Sequence, residues 1–375
     1  MLKILVTGGA GFIGSHLVDA LLRAGHAVRV FDNLDPQVHG PLREQGRWPA
    51  YLACDCEKVL GDVRDRDALR RALDGVYVVF HEAAAVGVGQ SMYEVRRYVD
   101  VNTLGTATLL DILANEKHNV QKLLVASSMS IYGEGAYECP QDGRVYPRLR
   151  APDQLARREW DMRCPLCARP VAWVPTDEDK PLYSTSIYAI SKKDQEEMSL
   201  CMGRAYNIPT VALRYFNTYG PRQALSNPYT GVAAIFSARL LNDRPPQIFE
   251  DGQQRRDFVH VSDIVQANLL AMQSNAANGA CFNVGTGQPV SVLDVANALS
   301  QSLGKDIQPA IVARFREGDI RHCVADISRL RRLGYAPRVS FADGMRELAD
   351  WVRQQPAQDQ SDTAARELQR RGLVQ

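Results

Sequence analysis

Apolar and polar residues in the first 130 positions follow a pattern of short strands separated by amphipathic helices. Near-continuous apolar runs lie at 3–7, 27–32, 77–80 and 122–126, and helical periodicity covers 15–24 and about 103–115. Strands that are apolar throughout, with helices between them, are typical of a parallel sheet covered on both faces. The pattern therefore predicts an α/β fold with a doubly wound parallel sheet.

The pattern changes at two places further along the chain. From about 133 to 184 the sequence is rich in Pro, Gly, Arg and Cys, and a structureless loop of that length is uncommon inside a compact domain. We interpret it as an inserted, cysteine-containing subdomain. After about 218 shorter elements predict a smaller C-terminal domain, interleaved with the last strands of the sheet. The predicted parts are 1–217 with the insertion, 218–353, and a polar tail at 354–375 that forms a surface helix or frays.

Charge and hydropathy exclude several classes of function. Lys and Arg number 44 and Asp and Glu 43, so a net charge of +1 gives no electrostatic reason to expect nucleic acid or a membrane as partner. The sequence has no apolar run of about 18 residues, and its amino terminus enters a strand without the regions of a signal peptide. We therefore expect a cytoplasmic protein whose eight cysteines stay reduced.

A glycine-rich turn follows the first strand and opens the first helix. Gly8, Gly11 and Gly14 fall where a backbone must approach a pyrophosphate and pack a helix closely against a strand. The amides of Phe12 and Ile13, at the start of the helix, are then free to bind an anion. This arrangement predicts a dinucleotide site, and the alternative is that the glycines only make a tight turn.

A second set of residues is predicted to border the nucleoside part of that site. Asp32 ends the second strand, where a carboxylate accepts ribose hydroxyls and repels a 2′-phosphate, so NAD is favoured over NADP. Asp62 either contacts the adenine amine or caps a helix with Arg64. Ala83 and Ala84 follow a third strand, where their small side chains leave room for a flat ligand. The alternative is that they only pack against neighbouring residues. The predicted set is Asp32, Asn33, Asp62, Val63, Ala83 and Ala84.

Tyr188 and Lys192 are four residues apart on one face of a predicted helix. The pKa of a free Tyr is about 10, but a neighbouring Lys and an oxidised nicotinamide ring both favour the phenolate, so Tyr188 is a candidate base. Alone, such a pair is common on helix surfaces. Ser128 belongs to a hydroxyl cluster at the carboxyl end of an apolar strand, where parallel sheets bind ligands. We expect it to hold a reacting hydroxyl beside Tyr188, although a turn or helix cap is the alternative.

Taken in order, these motifs resemble the extended short-chain dehydrogenase/reductase family, and within it the NAD-dependent nucleotide-sugar epimerases and dehydratases. The resemblance runs from Met1 to about Val352. It implies a Rossmann-type NAD-binding domain at 1–217 and a domain at 218–353 that mainly binds the nucleotide sugar. It also implies a homodimer, because the helices around 103–115 and 187–206 resemble those that form a four-helix interface in the family.

The resemblance further implies individual roles. Ser128, Tyr188 and Lys192 correspond to the catalytic residues, and Tyr188 and Lys192 also contact NAD. Asn102 corresponds to a residue that steadies the active-site strands, and it is also expected among the residues that bind the cofactor. The residues that the resemblance assigns to the nucleotide sugar are Ser128, Ser130, Asn217, Arg256, Arg316 and Cys323.

Two of those residues are arginines, which suit a diphosphate because a guanidinium group binds phosphate oxygens in bidentate fashion. Without the resemblance, Arg256 and Arg316 would be interpreted as solvated surface charges. In the hexose 4-epimerases a residue at the position of Cys323 borders the sugar, and a small side chain there tolerates several sugars.

The residues after Ser128 narrow the expected reaction. Met129 and Ser130 stand where the family's 4,6-dehydratases carry Asp and Glu, and neither is an acid or base near neutral pH. The Glu of the decarboxylases is likewise missing at Ser130. We therefore expect 4-epimerisation with NAD tightly bound.

The insertion before Tyr188 resembles that of bacterial epimerases that convert dTDP-L-rhamnose to dTDP-6-deoxy-L-talose. Epimerisation of UDP-glucose or UDP-glucuronate, reduction of a nucleotide-4-ketosugar, and NAD sensing without catalysis stay as alternatives.

The cysteines of the insertion form a separate candidate site. Cys164 and Cys167 have the spacing of a zinc knuckle, and Cys139 with Asp142 resembles a second knuckle in which one thiol is replaced. Cys139, Cys164 and Cys167 are therefore candidate ligands of a structural zinc ion. Alternatively, Cys54 or Cys56 supplies the fourth ligand, or the insertion holds no metal.

Overall fold

A seven-stranded parallel sheet forms the centre of the protein. The computed structural model describes residues 1–316, 318–356 and 358–374. In space the strands follow the order Cys281–Val284, Thr210–Tyr215, Lys122–Ser128, Val78–His81, Lys3–Thr7, Ala27–Asp32 and Glu57–Leu60. The chain starts in the middle of the sheet and winds outward in both directions, so the predicted doubly wound, Rossmann-type α/β fold is confirmed.

The strands are apolar on both faces because helices cover both faces. Ile4 and Val6 belong to one buried cluster and Leu5, between them, to another, as expected when successive side chains point to opposite sides of a strand. One face packs against helices Phe12–Arg23 and Val261–Gln273, and the other against Arg66–Ala72, Gly105–Asn115 and Ile187–Ala205. Shorter helices are Pro36–His39, Val88–Ser91, Val95–Tyr98, Pro152–Ala156 and Ser328–Arg331, and Val99–Leu104 is a π-helical turn.

The C-terminal part has its own hydrophobic core. It is formed by the helices Val232–Leu241, Val292–Leu303 and Phe341–Val352. Its short strands are Asn217–Tyr219, Gln247–Ile248, Arg255–His260, Pro289–Ser291, Ala310–Ile311 and His322–Cys323. The chain leaves the large sheet after Tyr215 and re-enters it at Cys281, beside the strand that it left. The C-terminal part is therefore interleaved with the sheet, whereas the domain boundaries given above stay a prediction.

The cysteine-rich segment is a small, separately packed unit. Strands Ala136–Cys139, Gly143–Val145 and Ala172–Val174 form an antiparallel sheet. Its buried core consists of Tyr137, Cys139, Val145, Met162 and Cys164. This agrees with the interpretation of the segment as an inserted subdomain.

Of the two expectations for the tail, the structure shows the helix. Ser361–Arg370 is helical, and its Ala364 and Leu368 side chains are buried. Val374 then pairs with Arg316 in an antiparallel β-bridge. Within the part of the chain that the structure describes, every helix is too short or too polar to cross a membrane.

Candidate active site

A cavity of about 680 Å³ lies at the carboxyl ends of the central strands. Its walls come from the large sheet, from the C-terminal part and from the tail helix. A doubly wound sheet binds ligands where its strand order reverses, and the cavity has the volume of a typical small-molecule site. It brings together most of the residues singled out in the sequence.

Two glycines of the turn, Gly8 and Gly14, leave no room for a side chain where the turn borders the cavity. Gly8 has φ +69°, and a Cβ there would lie 2.8 Å from Ala83 Cα. A Cβ on Gly14 would overlap the carbonyl oxygen of Gly8. Gly11 caps the following helix without a side-chain hydrogen bond, so the first amides of the helix, at Phe12 and Ile13, face an anion site at the cavity wall. The turn fits the pyrophosphate of a dinucleotide.

Asp32 lines the same cavity together with Asn33. Its carboxylate is 8% exposed and accepts hydrogen bonds from the amides of Ala10, at 3.0 Å, and Leu34, at 2.8 Å. Burial raises the pKa of Asp32, and the nearby His39 opposes that change. The two amides fix the carboxylate in place, and its free lone pairs can accept ribose hydroxyls, as predicted for NAD.

The two interpretations of Asp62 differ in what its carboxylate contacts. Arg64 donates to both of its oxygens, at 2.8 and 2.7 Å, and Asn33 Nδ2 donates at 3.0 Å. The bonds from Arg64 hold the pKa of Asp62 well below its usual range. Asp62 is absent from the described cavity lining, which includes Val63, Ala83 and Ala84. The contacts thus favour a pairing with Arg64 over an adenine contact.

Ser128, Tyr188 and Lys192 all line the cavity. Ser128 ends the strand Lys122–Ser128, while Tyr188 and Lys192 lie on successive turns of the helix Ile187–Ala205, which we call the catalytic helix. The Ser128 hydroxyl acts to lower the pKa of the Tyr188 phenol, and it donates a hydrogen bond to Ser130 Oγ at 3.2 Å. The structure therefore assembles the three predicted residues on one wall.

The electrostatics of this group differ from the sequence argument. Burial raises the pKa of Tyr188, and only the Ser128 hydroxyl opposes this. Burial lowers the pKa of Lys192 to about 8, while the carboxylates of Glu82 and Glu196 act in the opposite direction. Lys192 is not among the groups that shift the pKa of Tyr188, so the protein alone does not support the expectation that this lysine favours the phenolate.

Asn102 connects the catalytic helix to the sheet. It is fully buried in the π-helical turn, where its Oδ1 accepts from the Ala85 amide at 2.7 Å. Its Nδ2 donates to Ala85 O at 3.0 Å and to Ser191 Oγ at 2.9 Å. Asn102 is missing from the described cavity lining, so the expected contact with the cofactor is not supported, whereas its hydrogen bonds fit the predicted role of steadying the active-site strands.

The two predicted phosphate-binding arginines reach the cavity from the C-terminal part. The guanidinium group of Arg256 donates to three backbone carbonyls, those of Arg255, Ile320 and Arg321, at 2.6–2.9 Å. Arg316 donates to Asp319 at 2.8 Å, and its guanidinium lies 4.8 Å from the ring centroid of Phe249. Both cations are held in place before any ligand arrives.

Two more predicted substrate residues, Asn217 and Ser130, also line the cavity. Asn217 Oδ1 is buried and has no hydrogen-bond partner among the described residues. Buried polar atoms are rarely left unpaired, so this acceptor marks a place where a polar ligand group fits.

Cys323 requires a correction, because the structure does not bring it to the cavity. Its strand pairs with Arg255–His260, and the thiol lies 3.9 Å from Thr176 Oγ1, beside the inserted subdomain. It is 1% exposed and absent from the described lining. The predicted contact with the sugar is therefore not supported.

Two charged residues of the site were missed. Glu82 lines the cavity, accepts from Tyr215 OH at 2.9 Å, and has its pKa raised to about 7 by burial. Arg239, also buried at the cavity, donates to Ser361 and Asp362 of the tail helix. The sequence signal that could have identified them is a single charged residue, Glu82 at the end of an apolar strand and Arg239 within an otherwise apolar helix.

Comparison with known proteins indicates the same family as the sequence motifs. Residues 4–151 and 168–285 match the profile of the NAD dependent epimerase/dehydratase family. The chain is 35% identical to a dTDP-L-rhamnose 4-epimerase of Burkholderia thailandensis, over 94% of this chain and 95% of that one.

Similar solved structures belong to the same group. A UDP-glucuronic acid 4-epimerase from Bacillus cereus, in complex with UDP-glucuronic acid and NAD, has a TM-score of 0.75 and 28% identity, covering 94% of this chain and 99% of that chain. A UDP-N-acetylglucosamine 4-epimerase from Methanobrevibacter ruminantium has a TM-score of 0.75 and 30% identity, covering 95% and 99%. The chain belongs to the NAD dependent epimerase/dehydratase family.

Proposed function

We propose that this protein inverts the configuration at C4 of a nucleotide-activated sugar, through a transient 4-keto sugar and with NAD tightly bound throughout. One observation carries the proposal. Tyr188 and Ser128 share a cavity with the glycine turn at one end and two anchored arginines at the other. A hydroxyl held by Tyr188 and Ser128 would thus belong to a molecule that also carries phosphates.

In this proposal each group of residues has one task. Gly8, Gly11 and Gly14 would hold the pyrophosphate of NAD, and Asp32 its ribose. NAD, when bound, supplies the acceptor and then the donor of the C4 hydride. Tyr188 takes the proton of the C4 hydroxyl and later returns it to the other epimer.

The remaining residues position the substrate and the base. Ser128 holds the C4 oxygen beside the phenol. Lys192, with a pKa of about 8, carries a positive charge at neutral pH. Arg256 and Arg316 grip the diphosphate, so that the nucleotide end stays fixed while the sugar turns over.

The positions after Ser128 favour epimerisation over dehydration. Met129 is a buried thioether, and the Ser130 hydroxyl lies 3.2 Å from Ser128 Oγ. Neither side chain can donate and recover the additional proton that an elimination of water requires. Redox at a single carbon needs no such group.

For the substrate, we propose dTDP-L-rhamnose, with dTDP-6-deoxy-L-talose as the product. The relative from Burkholderia thailandensis, a dTDP-L-rhamnose 4-epimerase, matches nearly the whole chain. The inserted cysteine-containing subdomain, which the sequence associates with such enzymes, is present as a folded unit. UDP-glucose and UDP-glucuronate are the competing substrates. We expect the protein to be located in the cytoplasm.

The test is to incubate the purified protein, without added cofactor, with dTDP-L-rhamnose, UDP-glucose or UDP-glucuronate, and to follow the sugar protons by NMR. We expect the talose epimer to appear and approach equilibrium, and Tyr188→Phe to abolish its formation. Conversion of only a UDP-sugar would keep the mechanism and replace the substrate.

The other functions give different results in the same experiment. Stoichiometric consumption of added NADH or NADPH with a 4-keto sugar would indicate a reductase. Absence of any turnover, with NAD nevertheless bound, would favour the sensing module.

A further inference from the structure

Four potential metal ligands converge at the tip of the inserted subdomain. The thiols of Cys139, Cys164 and Cys167 and a carboxylate oxygen of Asp142 all lie within 4.8 Å of one another. Cys139 Sγ is 3.5 Å from Cys167 Sγ and 3.3 Å from Asp142 Oδ2, and Cys164 Sγ is 3.1 Å from the same oxygen. Zinc–sulfur bonds of about 2.3 Å place tetrahedral ligands about 3.8 Å apart, so the cluster needs only a slight expansion to hold the ion.

The four ligands come from two turns with the same local design. In each turn a Cys is followed by Pro, and the second ligand stands three positions after that Cys. The residue after the second ligand is left-handed in both, Gly143 with φ +68° and Ala168 with φ +60°. A left-handed Ala is unfavourable by itself, so the repetition of this turn points to a shared purpose. Asp142 occupies the position that Cys167 occupies in the other turn.

A backbone amide of the second turn is directed at a sulfur atom. Leu166 N donates to Cys164 Sγ at 3.4 Å, and in the first turn the amides of Gln141 and Asp142 act to lower the pKa of Cys139. Such N–H donors stabilise a thiolate, the form in which cysteine binds metal.

The subdomain has little else to hold it together. Its buried core comprises five residues, and units of this size usually need a disulfide or a metal for stability. The family profile omits residues 152–167, which include the second turn. Two of the four ligands therefore lie outside the segments that the family profile matches, and none of the four belongs to the described cavity lining.

We propose that Cys139, Asp142, Cys164 and Cys167 bind one structural Zn²⁺ ion, which holds the inserted subdomain in its folded form. All four tetrahedral positions are supplied by the protein, whereas a catalytic zinc keeps one position open. The thiols lose their protons when the ion binds, and no redox step is involved. The proposal does not depend on the epimerase activity.

The subdomain is connected to the active site by buried charges. Arg150, within the insertion, forms two hydrogen bonds with Glu250, at 2.8 and 2.9 Å, and Glu250 lines the cavity. Glu134 accepts from the Arg321 and His322 amides, each at 2.7 Å. The Arg321 carbonyl in turn holds Arg256. Loss of zinc should thus loosen the phosphate site without touching the catalytic residues.

Metal analysis of the purified protein gives the direct test. We expect about one zinc per chain by elemental mass spectrometry, and after exchange with Co²⁺ the absorption spectrum of a tetrahedral, thiolate-bound ion. Chelation should lower the Tm, and zinc should restore it. Wild-type protein that binds no zinc under reducing conditions, or that holds a Cys139–Cys167 disulfide instead, would overturn the proposal.

Variants identify the ligands. Zinc should be lost from C164S/C167S, and the affinity of Asp142→Ala for zinc should fall at least about 10-fold, the smallest loss expected even for residues behind a metal ligand. Asp142→Cys should retain zinc. The matched control is C54S/C56S, because those thiols contact Asp55 and Ala53. Unchanged zinc affinity in Asp142→Ala, or loss of zinc from the control, would contradict the ligand set.

Discussion

At the scale of single residues, burial shifts the pKa values of neighbouring groups in the cavity wall in opposite directions. Burial raises the pKa of Tyr188 and of Glu82 and lowers that of Lys192. Glu82 and Lys192 titrate within about one unit of each other, near pH 7 and pH 8. The charge of one therefore influences the ionisation of the other between about pH 7 and pH 8.

Replacing Glu82 by Gln should move the alkaline limb of the pH profile. The carboxylate of Glu82 raises the pKa of Lys192, so its removal lowers that pKa below about 8 and neutralises the lysine at lower pH. Turnover should begin to fall at lower pH than in the wild type, as measured by NMR across pH 6–10. The control is Glu197→Gln, on the exposed side of the catalytic helix, where Glu197 pairs with Lys193. An unshifted limb in Glu82→Gln would contradict the coupling.

His81 should make the protein sensitive to acid. Its ring nitrogens are hydrogen-bonded to Thr7, at 2.8 Å, and Thr106, at 2.9 Å, and burial lowers its pKa to about 3. Below pH 6.5 the unfolded chain binds a proton that the folded chain does not, so the free energy of unfolding decreases as the pH falls.

Between pH 7.5 and 5.5 the wild type should lose about 1.4 kcal/mol that His81→Gln does not lose. Urea unfolding at the two pH values measures this. The stability gap between the two proteins should narrow by that amount at the lower pH, and a gap independent of pH would show that the pKa of His81 is the same in the folded and unfolded states.

At the scale of elements, local spacing predicted more than long-range contacts did. Gly8, Gly14, Tyr188 and Lys192 were recognisable because their function depends on neighbours within one turn or one helix. Cys323 was misplaced because the side on which a strand residue points depends on the partner strand, which the local sequence does not give. Arg239 and the tail helix were not assigned to the cavity for the same reason.

The start of the first helix gives a graded prediction. A Cβ at Gly14 would overlap Gly8 O, whereas a Cβ at Gly11 would lie 3.2 Å from that atom, so only a small shift is needed. Gly14→Ala should be purified with little or no NAD, and Gly11→Ala with an intermediate amount, as measured by absorbance of the released cofactor. Equal NAD content in both variants would show that NAD binding does not depend on the space between these glycines and Gly8 O.

At the scale of the whole molecule, exposed apolar side chains cluster on two helical regions. Val95, Val99 and Leu104 precede the helix Gly105–Asn115, and Ile190 lies on the catalytic helix; each is at least 41% exposed. Leu104 and Ile190 fall within the regions, 103–115 and 187–206, that the sequence assigns to a homodimer interface. Exposed apolar patches are typical of interaction sites.

Introducing a charge there should separate the protomers. Leu104→Glu is expected to elute as a monomer in size-exclusion chromatography with light scattering, because a buried carboxylate without a partner is strongly unfavourable. Ile311→Glu, at a comparably exposed position in the C-terminal part, should leave the mass of the wild type. A dimer in both variants would place the interface elsewhere.

The way in which the chain leaves and re-enters the large sheet has a consequence for engineering. Residues 216–280 form an excursion between two adjacent strands, and Arg256 lies within it, whereas Arg316 follows the strand Cys281–Val284. A chimera that exchanges only residues 216–280 would take Arg256 from one parent and Arg316 from the other. Transplanting substrate preference from a relative will therefore require the exchange of segments on both sides of the last strand.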